Sequence, residues 1–295
     1  MKSSNHSIRL NYLTKEQLFK LLGIILLSDG YVHKTNGVTN SIRLITSGYN
    51  RCQHELFNYL CKKTFGKPAK IYQLSKNKML MSEFFSRNIL DKVYSLSPTY
   101  QTSPSKYLKK EEYLKTKQPT LIFIKNEPLE FKWLAFLLYF EFDGSISPSI
   151  KLKYKNDLKK SKLYKYYQVQ LEFEIRIAET NPQLNKELIC ICSELGLKAN
   201  KTVNKRNWSG IEGIRISNMN SVKKFIEKDT ITKVKISSKS YRFRGLTKSS
   251  IIKSTKNIIE EIPLSKSFKT KSEAEKYRED LNIKLLNYIH NSPVG

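Results

Sequence analysis

Two aspartates stand in the same unusual setting. Leu21-Leu22-Gly23-Ile24-Ile25-Leu26-Leu27 runs into Ser28-Asp29-Gly30, and Trp133-Leu134-Ala135-Phe136-Leu137-Leu138-Tyr139-Phe140 runs into Glu141-Phe142-Asp143-Gly144. Each run is apolar on every side of a helix, which predicts burial between two bodies. Each acid then falls at the negative pole of the helix dipole, where a carboxylate is locally unfavourable. An unfavourable placement that occurs twice needs an external reason. If the two helices pack together, Asp29 and Asp143 meet at one end of their contact, and close carboxylates repel unless a proton or cation lies between them. A divalent cation with one or two carboxylates, water and a phosphate oxygen suits such a pair and is equipped for phosphodiester chemistry. Glu141 is a further acid nearby, but residues two apart on a helix point apart, so Glu141 and Asp143 cannot both reach that centre.

The elements that must position these acids occur in the same order twice. The first helix opens on the Thr14–Gln17 capping box, and Gly30 is placed as its C-cap. Extended pieces at Tyr31–Lys34 and Ser41–Thr46 follow, then a helix over Arg51–Phe65 ending at Gly66, strands at Lys70–Gln73 and Met79–Met81, and a helix near Glu83–Leu96. A proline- and lysine-rich linker, residues 98–128, separates this first half (12–97) from the second (129–246). In the second half Pro128 opens the apolar helix at its first position. Ser149–Lys155 and Gln168–Ile177 then alternate apolar and polar residues, the pattern of half-buried strands. A helix capped by Asn181-Pro182 ends at Gly196, with strands near Lys198–Asn204 and Ile211–Ser217 and a helix at Ser221–Lys228. Residues 247–295 leave the repeat as a basic extension with one helix from Thr270 to Tyr288.

The stretches Leu22–Gly30 and Phe136–Gly144 resemble the LAGLIDADG signature, and the series around them resembles the αββαββα half of that homing-endonuclease family. The resemblance implies an α+β fold of duplicated αββαββα units, forming a pseudo-twofold saddle with a C-terminal helical extension. It implies a monomeric enzyme that hydrolyses one phosphodiester in each strand of a long double-stranded DNA site, using Mg²⁺. Asp29 and Asp143 match the family's essential acids, and the preceding carbonyls, of Ser28 and Phe142, join them as metal ligands. Only Gly23 in the first stretch is small where such helices approach, and Leu137 and Leu138 are large in the second, which predicts a wider helix contact. The family also places a basic residue near each acid; Lys78, Lys117, Lys151 and Lys233 are the candidates.

Composition agrees with a polyanionic partner. Lys and Arg number 53 against 26 Asp and Glu, a net charge of +27, with 17 Tyr and 14 Phe. If the apolar strand faces pack on helices, the polar faces present base-reading side chains to a groove. Those residues are Lys34, Arg43, Lys70, Gln73 and Lys76 in the first half, with Lys151, Lys153, Lys155, Gln168, Gln170, Glu172, Arg176, Lys201, Lys205 and Arg206 in the second. Lys159, Lys160, Lys162 and Lys165 sit at a hairpin tip suited to phosphates. Cys52, Cys61, Cys190 and Cys192 make no CxxC pair and the four histidines are scattered, which excludes a zinc site or disulfide frame and predicts an intracellular protein. No run approaches the ~20 apolar residues of a membrane span. Two rivals fit the same scaffold: an RNA-binding intron maturase, to which the basic extension lends weight, and a non-catalytic DNA-binding regulator.

Overall fold

The computed structural model describes residues 10–33, 40–74, 79–86, 88–159, 162–236, 240, 243 and 245–291. The first series is α1 (Lys15–Leu27), β1 (Gly30–His33), β2 (Ser41–Ser47), α2 (Arg51–Phe65), β3 (Lys70–Leu74), β4 (Met79–Phe85) and α3 (Ile89–Leu96). The second repeats it as α5 (Leu129–Asp143), β5 (Gly144–Lys159), β6 (Lys162–Ile177), α6 (Pro182–Glu194), β7 (Ala199–Val203), β8 (Ile211–Ile216) and α7 (Met219–Ile226). Between them lie α4 (Lys110–Lys115) and a 3₁₀ turn at Ile122–Ile124; after them come α8 (Lys248–Glu261), β9 (Ser265–Phe268) and α9 (Lys271–Asn291). The strand orders match as well: β1-β2-β4-β3 in one sheet and β5-β6-β8-β7 in the other. The fold is therefore α+β with a duplicated αββαββα unit.

Several boundaries differ from the sequence expectation. Glu83, expected in a helix, lies in β4 opposite Arg43 and Lys70, and the helix begins only at Ile89. A cross-strand carboxylate between two cations outweighs its helix propensity there. Gly30 and Gly144 are not left-handed C-caps; each opens a strand. They are glycine for lack of room: a Cβ on Gly30 would sit 2.8 Å from the Leu26 Cα, and one on Gly144 would sit 2.6 Å from the Phe140 carbonyl oxygen. Pro128 is the residue before the first turn of α5 and not its first member. The β5–β6 hairpin is longer than its alternation showed, 16 residues in each strand. The extension holds two helices and a strand where one helix was expected.

The chain forms two compact units that do not follow its order. One comprises residues 1–145, 176–215 and 230–234; the other comprises 146–175, 216–229 and 235–295. In the first unit, Leu56, Phe57, Leu60 and Cys61 of α2 are buried together with Ile42, Leu44 and Phe84 of the sheet. The linker is built into the same unit. Thr120 Oγ1 donates to the Glu187 carboxylate on α6 at 2.7 Å, and Asn181 Nδ2 donates to the Tyr113 hydroxyl of α4 at 3.0 Å. In the second unit, α8 packs on α7 and α9, and β9 pairs antiparallel with β6.

His54 shows how tightly α2 is seated. Fully buried, it meets Thr46 Oγ1 of β2 at 2.9 Å and Ser82 Oγ of β4 at 2.7 Å, one contact per ring nitrogen. Burial pushes its pKa down to about 4. The folded state thus favours the neutral ring, so the stability it contributes is complete above the unfolded pKa near 6.5 and drains away as pH falls through 4. At ~1.4 kcal/mol per pKa unit, roughly 3 kcal/mol of stability is lost across that window. The imidazole proton shifts of His54 should stay flat between pH 7.5 and 5. A titration midpoint near 6.5 in the folded protein would contradict this.

Candidate metal and nucleic-acid site

The two apolar helices lie side by side in the first unit. Leu21–Leu27 is buried without a break in α1, and Leu134–Phe142 is buried in α5. Glu127, just before α5, accepts from Gln17 Nε2 at 2.9 Å and Lys20 Nζ at 2.6 Å near the start of α1. That clamp joins the two helix starts, the helices pack on one another, and the charge of Asp29 at the end of α1 reaches Tyr139 near the end of α5, so the two run in the same direction. The glycine expected at their contact has another duty. The atoms nearest a Cβ on Gly23 would be Leu96 Cδ1 of α3 at 2.8 Å and Phe123 of the 3₁₀ turn. Its small size admits a side chain of α3 and one of the linker.

At the far end, Asp29 follows the C-cap Ser28, whose hydroxyl turns back to the carbonyls of Ile24 at 3.1 Å and Ile25 at 3.2 Å. Asp143 is the last residue of α5, and its carbonyl accepts from Ala178 N at 3.1 Å, anchoring the end of β6. Both aspartates are half-buried, whereas Phe142 is buried. Tyr139, one turn before Asp143, reports on both. Its phenol is wholly buried and its pKa lies well above 10, owing to burial, then to the charges of Glu179 and Asp143, its hydrogen bond to Glu179, and the charge of Asp29. A single hydroxyl therefore feels both carboxylates, one from each helix.

Glu179 belongs to this end of the helices and was not signalled by the sequence. It accepts a hydrogen bond from the Tyr139 hydroxyl and another from Asn181 N at 2.6 Å. Burial pushes its pKa up to about 7, against the lowering effect of those two bonds. The one available signal was a lone acid between the alternating strand and the Asn181 cap. Glu141 goes elsewhere. It is fully buried and accepts from Ile231 N, from Thr232 N at 2.8 Å and from Thr232 Oγ1. The separation of Glu141 from Asp143 follows helix geometry, and the carboxylate serves to pin the segment 230–234.

The donor chemistry of this end is that of a divalent cation with oxygen ligands. Among the described residues no cluster of three or more His, Cys, Asp or Glu side chains could hold a metal by itself. Two half-buried carboxylates and adjacent backbone carbonyls make instead an incomplete, all-oxygen set. Mg²⁺ accepts such a set, because it keeps several waters and takes substrate phosphate oxygens as ligands. Of the assisting lysines, Lys117 is exposed in the linker, Lys151 pairs with Glu172, and the Lys233 backbone meets Cys52 beside the segment held by Glu141. Lys78 lies outside the described residues.

The polar strand faces are partly self-paired. In the first sheet Tyr31, Arg43, Glu83 and Lys70 stand in register across four strands. Arg43 Nε donates to Glu83, which also accepts from Ser41 Oγ at 2.7 Å, and the guanidinium lies 5.8 Å from the Tyr31 ring centroid. Gln73 does not share this face: it stands opposite Leu80 on the alternate side, at an edge of the sheet. In the second unit Lys153 Nζ donates to Gln170 at 2.7 Å and Glu172 at 2.6 Å, and Lys151 pairs with Glu172 at 2.8 Å. Gln168, Gln170, Glu172 and Arg176 form one alternating series along β6, with Lys151, Lys153 and Lys155 one series along β5. Lys201 is exposed on β7, and Lys205 and Arg206 are exposed in the following turn. Lys34 and Lys76 lie outside the described residues, as do the side chains of Lys159, Lys160 and Lys162.

No family model and no curated protein matches this chain. Solved structures with a similar chain path include the I-LtrWI LAGLIDADG homing endonuclease bound to target DNA. It is 15% identical, with a TM-score of 0.47, over 95% of this chain and 100% of that one. The meganuclease I-SmaMI bound to uncleavable DNA is 16% identical, with a TM-score of 0.48, over 93% of this chain and 98% of its own. Mesophilic variants of the homing endonuclease I-DmoI are 11% identical, with a TM-score of 0.46, over 73% of this chain and 90% of theirs.

Proposed function

We propose that this chain is a monomeric LAGLIDADG-type homing endonuclease, which hydrolyses one phosphodiester in each strand of a long double-stranded DNA site with divalent metal. The observation that supports the reading is the matching setting of Asp29 and Asp143. They stand at the ends of two packed helices whose C-terminal halves are buried, helices that open the two copies of one structural unit, and the charge of each bears on the buried Tyr139 phenol. Helix-end carboxylates are unfavourable unless a cation faces them, so their duplication in a chain of net charge +27 points to phosphate chemistry.

Asp29 and Asp143, with the carbonyls of Ser28 and Phe142, would hold the ion, which when bound supplies positive charge at the phosphate and a more acidic water. The protein's own contribution is placement. The Glu127 clamp fixes the helix starts, and the bond from Ala178 N to the Asp143 carbonyl fixes one helix end. Buried Phe142 and Tyr139 keep water from the inner side of the carboxylates. The polar strand faces are the DNA-reading surfaces of this proposal, Arg43 and Lys70 in the first unit and, taken by itself, Lys151, Lys153, Lys155, Gln168 and Gln170 in the second.

The test is digestion of a supercoiled plasmid pool carrying a randomised insert, in Mg²⁺ and in EDTA. Sequence-selective linear product in Mg²⁺ alone supports the reading. Tight binding of a structured intron RNA, with no DNA cut under any condition, would overturn it in favour of a maturase on the same scaffold.

A further inference from the structure

Residues 264–268 lie beyond the duplicated unit, yet they add a strand to the sheet that contains β6. Leu264 accepts from Leu171 N at 2.8 Å, and β9 then pairs with β6 in the register Tyr167–Phe268, Gln168–Ser267, Val169–Lys266 and Gln170–Ser265. Alternation along both strands puts Ser265 and Ser267 on the side of Gln170 and Gln168, the side where Lys153 meets Gln170. Phe268 and Lys266 belong to the opposite side. There the Phe268 ring lies 5.1 Å from Tyr277 of α9, and Lys266 Nζ lies 4.8 Å from the Tyr277 centroid. Helix α9 thus braces β9 from behind, while Ser265 and Ser267 are exposed in front.

We propose that β9 widens the nucleic-acid recognition face by a fifth strand, with the Ser265 and Ser267 hydroxyls contacting the duplex beside Gln168 and Gln170. The inference rests on the DNA-binding reading above. A serine hydroxyl both donates and accepts, so it serves a phosphate oxygen or either kind of base edge. The strand costs little to present because β6 and α9 already hold it in the extended form.

Ser265→Glu/Ser267→Glu tests this against Lys276→Glu, which changes net charge by the same amount at an exposed position of α9. Affinity for a mixed-sequence 30-base-pair duplex is read by fluorescence anisotropy, with thermal melting to show that each variant is folded. The double variant should weaken binding about tenfold more than Lys276→Glu, because two carboxylates would stand against phosphates at the contact itself. Ser265→Ala/Ser267→Ala should shorten the protected footprint at one end with little change in melting temperature. Equal weakening by the two charge variants, or an unshortened footprint, overturns the role of β9. Failure of the wild-type protein to bind any duplex overturns the DNA reading itself.

Discussion

Asp143→Asn is expected to end Mg²⁺-dependent DNA cutting while leaving the fold and DNA affinity in place, and Asp29→Asn is expected to do the same. Each substitution keeps the shape of the side chain and removes the charge that, on the proposed reading, would hold the cation. Loss of a metal's charge stabilisation at a phosphate is worth several kcal/mol. At about 1.4 kcal/mol per tenfold, a deficit near 4 kcal/mol is a loss of roughly a thousandfold in rate. Affinity measured in EDTA should hold or rise, since a carboxylate facing phosphate repels it when no ion intervenes. Supercoiled-to-linear conversion of the plasmid identified in the selection is the measurement. Cutting within tenfold of wild type by either variant would show that the paired helix ends are not the reaction centre. A normal rate of nicking with loss of the second cut in one variant would assign each acid to its own strand.

Glu141→Ala is expected to have the largest effect on stability. Its carboxylate accepts from two backbone amides and one hydroxyl in a site closed to water. Truncation leaves Ile231 N, Thr232 N and Thr232 Oγ1 without that acceptor, at a cost of about 1–3 kcal/mol for each group left unsatisfied. Partial relaxation brings the total to about 4 kcal/mol, and at roughly 2–4 °C per kcal/mol the melting temperature falls by about 10 °C. Glu141→Gln keeps one acceptor oxygen and should lose about half as much. Differential scanning calorimetry decides the matter, and an unchanged melting temperature for Glu141→Ala would refute a bracing role. Because this carboxylate faces residues 230–234 and not the helix ends, Glu141→Gln should retain Mg²⁺-dependent cutting.

What the sequence disclosed follows from which residues carry a period. Helices α1 and α5 were readable from runs apolar on all sides, and the β5–β6 hairpin from strict alternation at Val169, Leu171, Phe173, Ile175 and Ile177. The aspartates were readable as helix-end acids because their setting recurs. Helix α8 was not, since its buried positions include Ser250, Ser254 and Thr255 beside Ile251 and Ile258, a mixture with no apolar stripe. Strand β9 was not, because four residues are too few to show alternation. Arg43 read as a DNA-facing cation, but only the register sets it between Tyr31 and Glu83. Tyr139 looked like one more apolar residue until Glu179 gave its hydroxyl an acceptor, and that pairing joins positions forty residues apart.

The pairing of β9 with β6 also governs the order in which the protein can be made. Gln168 meets Ser267, about a hundred residues later in the chain. Residues 146–175 share a compact unit with 216–229 and 235–295, so on the ribosome β6 stands without β9 until about a hundred further residues have been made. Contacts of such separation close slowly, and an unpaired strand edge meanwhile invites wrong partners. The first unit lacks only residues 176–215 and 230–234 after its opening stretch, and it can assemble earlier. Synthesis therefore delivers Asp29 and Asp143 well before β9, and the edge of β6 that β9 covers closes only after residues 265–268 are made.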